Sequence, residues 1–342
     1  MSGEALSAAT ESFAEVGRGI TLCYERIGDP AGEPLMLIAG LGQQLHSWPD
    51  EFCAELAARG YRVIRFDNRD SGRSTHMAYP PPNPIAMFRG RGRPGQYHLG
   101  DMARDTMGLL DALDLTSAHV VGASLGGMIA QTLAAHAPWR VRSLTSIMST
   151  TGAPRIGRPA LSTWLRMFKP APKTRAAAMD QEVSMFRHIG ARGFPLDEAW
   201  IRATTGRAWD RDQTTEGVAR QLTAIFASGD RTREVAGIQA PTAVVHGDRD
   251  LMVHPTGGQA TARAIRGARL ATIAGMGHDL PRGAWPRIID LIDDNARRAK
   301  RAAPTPHTAP SPHTAPSPHT GASRHTGPSP EREDSSDAAI TA

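Results

Sequence analysis

Cysteine, lysine, aromatic residues and long apolar runs are all scarce in this 342-residue chain. The two cysteines, Cys23 and Cys53, stand in no CxxC pair and at no metal-ligand spacing. A disulfide framework and a cysteine-bound zinc site are therefore excluded, and both thiols are expected in or near the core. Lysine occurs only at Lys169, Lys173 and Lys300, so the formal charge of +5 is carried almost entirely by scattered arginine. No run of five basic residues occurs, which argues against a nucleic-acid partner. No apolar run is long enough to span a bilayer. Residues 1–14 lack the basic and apolar regions of a signal peptide, so the protein is expected to be soluble and cytoplasmic. What is present is ordinary for a globular protein: 40% apolar and 21% charged residues. The length accommodates one large α/β domain with an insertion.

The stretch that organises the chain is Val120-Val121-Gly122-Ala123-Ser124-Leu125-Gly126-Gly127. An apolar strand from Ala118 to Val121 runs into Gly-x-Ser-x-Gly, and an Ala-rich segment at helical spacing, Met128 to Ala137, follows. Strand, sharp turn and helix form the context in which a serine is held on a strained backbone with its hydroxyl exposed. Gly122 and Gly126 keep Cβ atoms out of that turn. The helix N-terminus supplies backbone N–H groups for a developing oxyanion.

Around this stretch the pattern alternates. Phe13–Val16 and Ile20–Arg26 read as a hairpin. Leu35–Ile38 reads as a buried strand, Ser47–Arg59 as a helix capped near Ser47 or Asp50, and Arg62–Phe66 as a strand. Residues 79–98, rich in Pro, Gly and Arg, read as a long surface excursion. A helix over Asp101–Leu113, the Ser124 unit and a strand at Val141–Met148 follow. Such alternation means a doubly wound, mostly parallel sheet with helices on both faces. From about 151 to 236 it stops, and helical patterns run through Leu161–Phe168, Thr174–Ile189, Asp197–Ala208 and Thr215–Ala227. These carry Trp164, Met167, Phe168, Met179, Met185, Phe186, Trp200, Trp209 and Phe226, residues suited to filling irregular apolar space. The sheet pattern returns with a strand at Thr242–Gly247, a helix at His254–Ile265, a strand at Arg269–Ile273 and a helix from Ala284 to Lys300. The expected domains are core 1–150, helical cap 151–236, core 237–300 and tail 301–342. In the tail Pro306-His307-Thr308-Ala309-Pro310-Ser311 recurs with period six. It has no apolar residues for a core, and His307, His313, His319 and His325 fall in register as weak metal donors at most.

A serine nucleophile needs a base, and the base an orienting acid. In a doubly wound sheet these belong on loops at the carboxyl ends of strands. The loop after Thr242–Gly247 holds Asp248 and Asp250, and the loop after Arg269–Ile273 holds His278. Of 13 histidines, His278 alone sits in a Gly-rich loop just after the last strand. His46 and His76 also follow strands, but they precede Ser124. The order Ser, Asp, His matches one of the three common triad orders. Either aspartate satisfies it.

Residues 13–300 resemble the α/β-hydrolase superfamily, and within it the actinobacterial carboxylesterases and lipases related to aclacinomycin methylesterases. The matching stretches are Gly40-Leu41-Gly42, Arg65 to Ser74, Gly122 to Gly127, Gly247-Asp248-Arg249-Asp250 and Gly275-Met276-Gly277-His278. The resemblance implies the α/β-hydrolase fold with a helical cap. It implies Asp250 as the acid, three residues after Gly247 and ahead of Val253-His254-Pro255, with Asp248 the spare. It implies an oxyanion hole from the Leu41 and Leu125 N–H groups. Where the family often shows His-Gly, this chain has Ala39-Gly40, so one polar contact is missing but no backbone donor. The motif around Arg69 is structural in the family and implies no catalytic role.

The expected activity is hydrolysis of an apolar, medium-sized or bulky carboxylic ester through an acyl-enzyme, with no cofactor and no metal. Perhydrolases, C–C bond hydrolases, thioesterases and peptidases share the fold and remain rivals. A ligand-binding receptor on the same fold is the non-enzymatic alternative. Oligomeric state is not encoded legibly.

Overall fold

A computed structural model describes residues 10–81, 95–167 and 169–302. Most of the excursion read at 79–98, the residue Phe168 and nearly all of the tail lie outside the described residues.

Eight strands form one sheet in the order β1-β2-β4-β3-β5-β6-β7-β8. They are β1 (Ser12–Glu15), β2 (Thr21–Ile27), β3 (Glu33–Ile38), β4 (Tyr61–Phe66), β5 (Ala118–Ala123), β6 (Val141–Ile147), β7 (Thr242–Gly247) and β8 (Arg269–Ile273). From β4 onward every neighbouring pair is parallel, while β1 and β2 join the edge antiparallel. The helices are α1 (Asp50–Ala58), α2 (Leu99–Ala112), α3 (Leu125–His136), α4 (Leu161–Met167), α5 (Arg175–Ile189), α6 (Glu198–Arg211), α7 (Glu216–Ser228), α8 (Thr232–Val235), α9 (Thr256–Ala264) and α10 (Trp285–Ala302).

The apolar run of β3 divides between two cores because strand side chains alternate. Met36 and Ile38 pack with α2 and α3, and Leu35 and Leu37 pack with α1 and α10. Val120 and Val121 of β5 divide the same way. A sheet covered on both faces needs continuous rather than alternating hydrophobicity, and these strands have it.

Several readings shift at element ends. The helix read from Ser47 splits into a 3-10 turn, Leu45–Ser47, and α1. Pro49 stands at the N-cap of α1, so neither Ser47 nor Asp50 caps it. Asp50 turns instead to the buried Arg65 at 2.5 Å. Helix α3 begins at Leu125, three residues before the expected start, because tertiary contact overrides the low helix propensity of Gly126 and Gly127. The four-residue α8 carries too little pattern to be read. Helix α10 runs to Ala302, two residues into the stretch read as tail.

Helices α4 to α8 lie between β6 and β7 in chain order. Thr174 caps α5 by accepting from the Ala177 N–H at 3.2 Å, and Asp197 caps α6 by accepting from the Trp200 N–H at 3.0 Å. Among the described residues no helix is long and apolar enough to cross a membrane.

Close backbone approach explains Gly126. A Cβ there would collide with the carbonyl oxygens of Ile38 and Ala39 at the end of β3. Gly126→Ala is therefore expected to cost about 3 kcal/mol or more in urea unfolding, at the upper end of overpacking effects because both obstacles are backbone. A cost below about 1 kcal/mol would show that α3 slides freely away from β3.

Candidate active site

Strand β5 ends at Ala123, and Ser124 takes φ 55° and ψ −119° before α3 starts. This is a costly backbone for a residue with a Cβ. It persists because both sides are fixed. The Ser124 N–H donates to the Ile147 carbonyl of β6 at 2.9 Å, and its carbonyl accepts from Gly127 and Met128 at 3.0 and 3.2 Å. A Cβ on Gly122 would strike the Gly126 carbonyl, so the turn closes only with glycine there.

The structure brings three of the sequence-predicted residues into line. His278 Nε2 lies 3.0 Å from Ser124 Oγ, and His278 Nδ1 lies 2.7 Å from Asp250 Oδ2. The His278 loop is tied down by its own backbone, whose N–H donates to the Ile189 carbonyl at the end of α5 at 2.7 Å. Asp250 is buried. Its Oδ1 accepts from the Met252 and Val253 N–H groups, each at 2.8 Å. Burial pushes the Asp250 carboxyl up, but the neighbouring His278 and the hydrogen bonds from His246 and His278 outweigh it and hold the group down at about 2. Asp248 goes elsewhere: its Oδ1 accepts from the Gly275 N–H at 2.7 Å.

His246, on β7, was not singled out by sequence reasoning. Its Nε2 lies 2.8 Å from the Val253 carbonyl and 3.3 Å from Asp250 Oδ2. Two acceptors require that nitrogen to carry the proton. His246 thereby braces the same carboxylate oxygen that His278 contacts.

The other two predicted residues flank Ser124. Leu125 is the first residue of α3, where backbone N–H groups have no intrahelical partner. Leu41 lies in the turn after β3. A Cβ on its neighbour Gly40 would sit 3.5 Å from Ser124 Cβ, so this turn passes directly over the serine. Neither the Leu41 nor the Leu125 N–H has an acceptor among the described residues. Both turn ends are held: Asn68 Nδ2 donates to the Ala39 carbonyl at 3.2 Å and Ser71 Oγ to the Gln43 carbonyl at 2.9 Å. Arg69 of the same motif reaches away to Asp105 of α2 at 2.5 and 2.6 Å, a tie between elements rather than a site contact.

The alternative bases are not at the serine. His46 pairs with Glu25 at 3.4 Å, and His76 contacts the Gly72 carbonyl and Asp212. Burial pushes the Cys23 and Cys53 thiols up to about 12, so neither offers a thiolate. Among the described residues, Glu11, Glu25 and His46 converge closely enough to consider as metal donors. Their carboxylates are already matched by Arg73, Arg211 and Arg65 at 2.6 to 2.7 Å.

Ser124 and His278 open into a cavity of about 1090 Å³. Helices α5, α6 and α7 each present one stripe to it: Met185, Phe186 and Ile189; Trp200, Ile201 and Thr204; Leu222, Ile225 and Phe226. Of the apolar residues read between 151 and 236, Trp164, Met167, Met185, Phe186, Trp200 and Phe226 line it. Met179 and Trp209 do not, and composition does not give the rotation of a helix about its axis that separates the two groups. Glu182 of α5 also lines the cavity, with Gln43 Nε2 donating to it at 3.4 Å, and burial pushes its carboxyl up.

A family model described as alpha/beta hydrolase fold matches residues 33–281. Rhodomycin D methylesterase DauP of Streptomyces sp. (strain C5) is 32% identical over 304 residues, covering 82% of this chain and 96% of that protein. Rhodomycin D methylesterase DnrP of Streptomyces peucetius is 30% identical over the same shares. Among solved structures, the enol-lactonase from Burkholderia xenovorans LB400 has a TM-score of 0.66 at 24% identity, over 84% of this chain and all of that one. At this identity the likeness speaks to the fold alone. Sheet order, the turn at Ser124 and these matches converge: the chain belongs to the α/β-hydrolase family.

Proposed function

We propose that the chain hydrolyses carboxylic esters through an acyl-enzyme formed on Ser124. The observation that carries this reading is the continuous hydrogen-bonded line from Ser124 Oγ through His278 to Asp250, open to a large cavity at the serine end. His278 Nε2 takes the Ser124 proton as Oγ attacks the ester carbonyl, and Asp250 keeps the imidazole in the tautomer that leaves Nε2 free. The Leu41 and Leu125 N–H groups receive the tetrahedral oxyanion. His278 then protonates the leaving alcohol, and water repeats the sequence on the acyl-enzyme.

The segment 151–236 acts as a lid. It leaves the sheet at the carboxyl end of β6, where such sheets bind ligands, and its helices α5 to α7 line the cavity before the chain returns to the amino end of the parallel strand β7. The stripes of α5 to α7 give it an apolar underside that excludes water and strengthens the proposed oxyanion hole. The substrate is then an ester with an apolar, medium-sized or bulky acid part. The two curated relatives are methylesterases by name, which favours a small alcohol leaving from a large acid.

Ser124→Ala is expected to abolish ester hydrolysis without loss of folding, and wild-type turnover in that variant would remove Ser124 from the reading. Asp250→Asn is expected to lower kcat by several orders of magnitude, about 10⁴ for loss of an orienting carboxylate. Asp248→Asn is expected to change kcat little, and the reverse ranking would transfer the role.

Chain-length dependence tests the lid. Across p-nitrophenyl esters from acetate upward, kcat/KM is expected to rise through butyrate by roughly fourfold per methylene, mostly through KM, at about 0.8 kcal/mol per buried CH₂. A strict preference for acetate would contradict an apolar lid.

A further inference from the structure

The loop after β3 is a four-residue turn. The Gln43 N–H donates to the Gly40 carbonyl at 3.2 Å, Leu41 and Gly42 are its central residues, and Gly42 has φ 65°. In such a turn the amides of the two central residues find no partner within the turn itself. The Leu41 N–H is the one assigned above to the oxyanion. The Gly42 N–H donates to Gln221 Oε1 at 2.9 Å. Gln221 lies on α7 and is fully buried. Its other end is fixed too, since Nε2 donates to the Arg69 carbonyl at 2.8 Å. The same helix touches the turn again: a Cβ on Gly42 would stand 2.8 Å from Val218 Cγ2.

The Leu41 N–H belongs to the Gly40–Leu41 peptide, one peptide before the Leu41–Gly42 peptide that Gln221 grips, so Gln221 acts on it by fixing where the turn sits. With the Gly42 N–H bound to Oε1 and Nε2 bound to the Arg69 carbonyl, the turn can shift away from Ser124 only by leaving a buried donor or acceptor unpaired. We infer that Gln221 is a positioning residue that holds the turn where the Leu41 N–H meets the oxyanion, so that α7, a helix of the segment over the cavity, sets the competence of the hole. This rests on the acyl-transfer reading above. Asn68 and Ser71 hold the two ends of the turn from the sheet side, whereas Gln221 holds its centre from the lid side.

The test compares Gln221→Leu and Gln221→Glu with wild type. In Gln221→Leu, kcat is expected to fall about 10- to 100-fold with KM within about twofold, bounded by the roughly 10²–10³ lost when a hole donor is removed outright. A trifluoromethyl ketone, which forms a tetrahedral oxyanion on serine, is expected to lose affinity by a similar factor, while the matching secondary alcohol binds as before. Gln221→Glu keeps an acceptor for Gly42 but loses the donor to Arg69, so its ketone-to-alcohol affinity ratio is expected to fall severalfold, between the other two proteins. Thr223→Val serves as a control on the same helix: that hydroxyl donates only to the Ala219 carbonyl, and the substitution is expected to spare the ratio. Equal weakening of ketone and alcohol, or an unchanged kcat in Gln221→Leu, would reduce Gln221 to packing and overturn the inference. Should Gln221→Leu not fold, an unchanged ratio in Gln221→Glu overturns it equally. A wild-type protein that cleaves no ester, or a Ser124→Ala variant that still does, would instead overturn the acyl-transfer reading and this role with it.

Discussion

The structure depends on one strained residue at the junction of β5 and α3. Ser124 at φ 55° and ψ −119° costs about 1–3 kcal/mol. That cost is tolerated because the junction lies at the centre of the parallel sheet, with β3 on one side and β6 on the other. The constraint then dictates its surroundings. The strand must end at Ala123, the helix must start at Leu125, and Gly122 and Gly126 must lack side chains. The serine hydroxyl is left above the carboxyl edge of the sheet, where loops from β3, β7 and β8 converge. Everything proposed about chemistry follows from which groups those loops bring.

The loop from β3 is the least self-sufficient of them, and the 67–74 motif supports it. Asp67 accepts from the Leu45 and Arg73 N–H groups and pairs with Arg211 of α6 at 2.7 Å. Asp70 pairs with Arg220 of α7 at 2.8 Å. Such buried pairs contribute little net stability but are costly to break, because either partner alone would be an uncompensated charge. They fasten the helices over the cavity to the loops beside Ser124. Arg231 does the same without a carboxylate: it donates to the Thr150 and Met128 carbonyls, and burial pulls its pKa down to about 10.

Much of this was legible in the sequence, for physical reasons. Leu35–Ile38 and Ala118–Val121 show as strands because both faces of a parallel sheet are buried. Ser124 shows because glycine is forced at two fixed offsets from it. His278 and the pair Asp248 and Asp250 show because a doubly wound sheet places site residues after strands, in chain order, while the choice of Asp250 over Asp248 rests on the family resemblance. What was not legible depends on pairing across the chain. Gln221 and Gly42 lie 179 positions apart, and Arg220 and Asp70 lie 150 apart. Nothing local distinguishes Gln221 from any polar residue on a helix. His246 looked like part of a strand, and only the fold shows it beside Asp250. Helix phase was equally hidden, so the sequence does not separate Met185 and Trp200, which line the cavity, from Met179 and Trp209, which do not.

The central claim is that Ser124 is a nucleophile activated by His278, and covalent labelling tests it most directly. A fluorophosphonate reacts only with a serine whose base and oxyanion donors are assembled. One adduct per chain is expected, mapped by mass spectrometry to the peptide containing Ser124 and lost in His278→Ala. An unlabelled wild-type protein, or an adduct on any other residue, would contradict it.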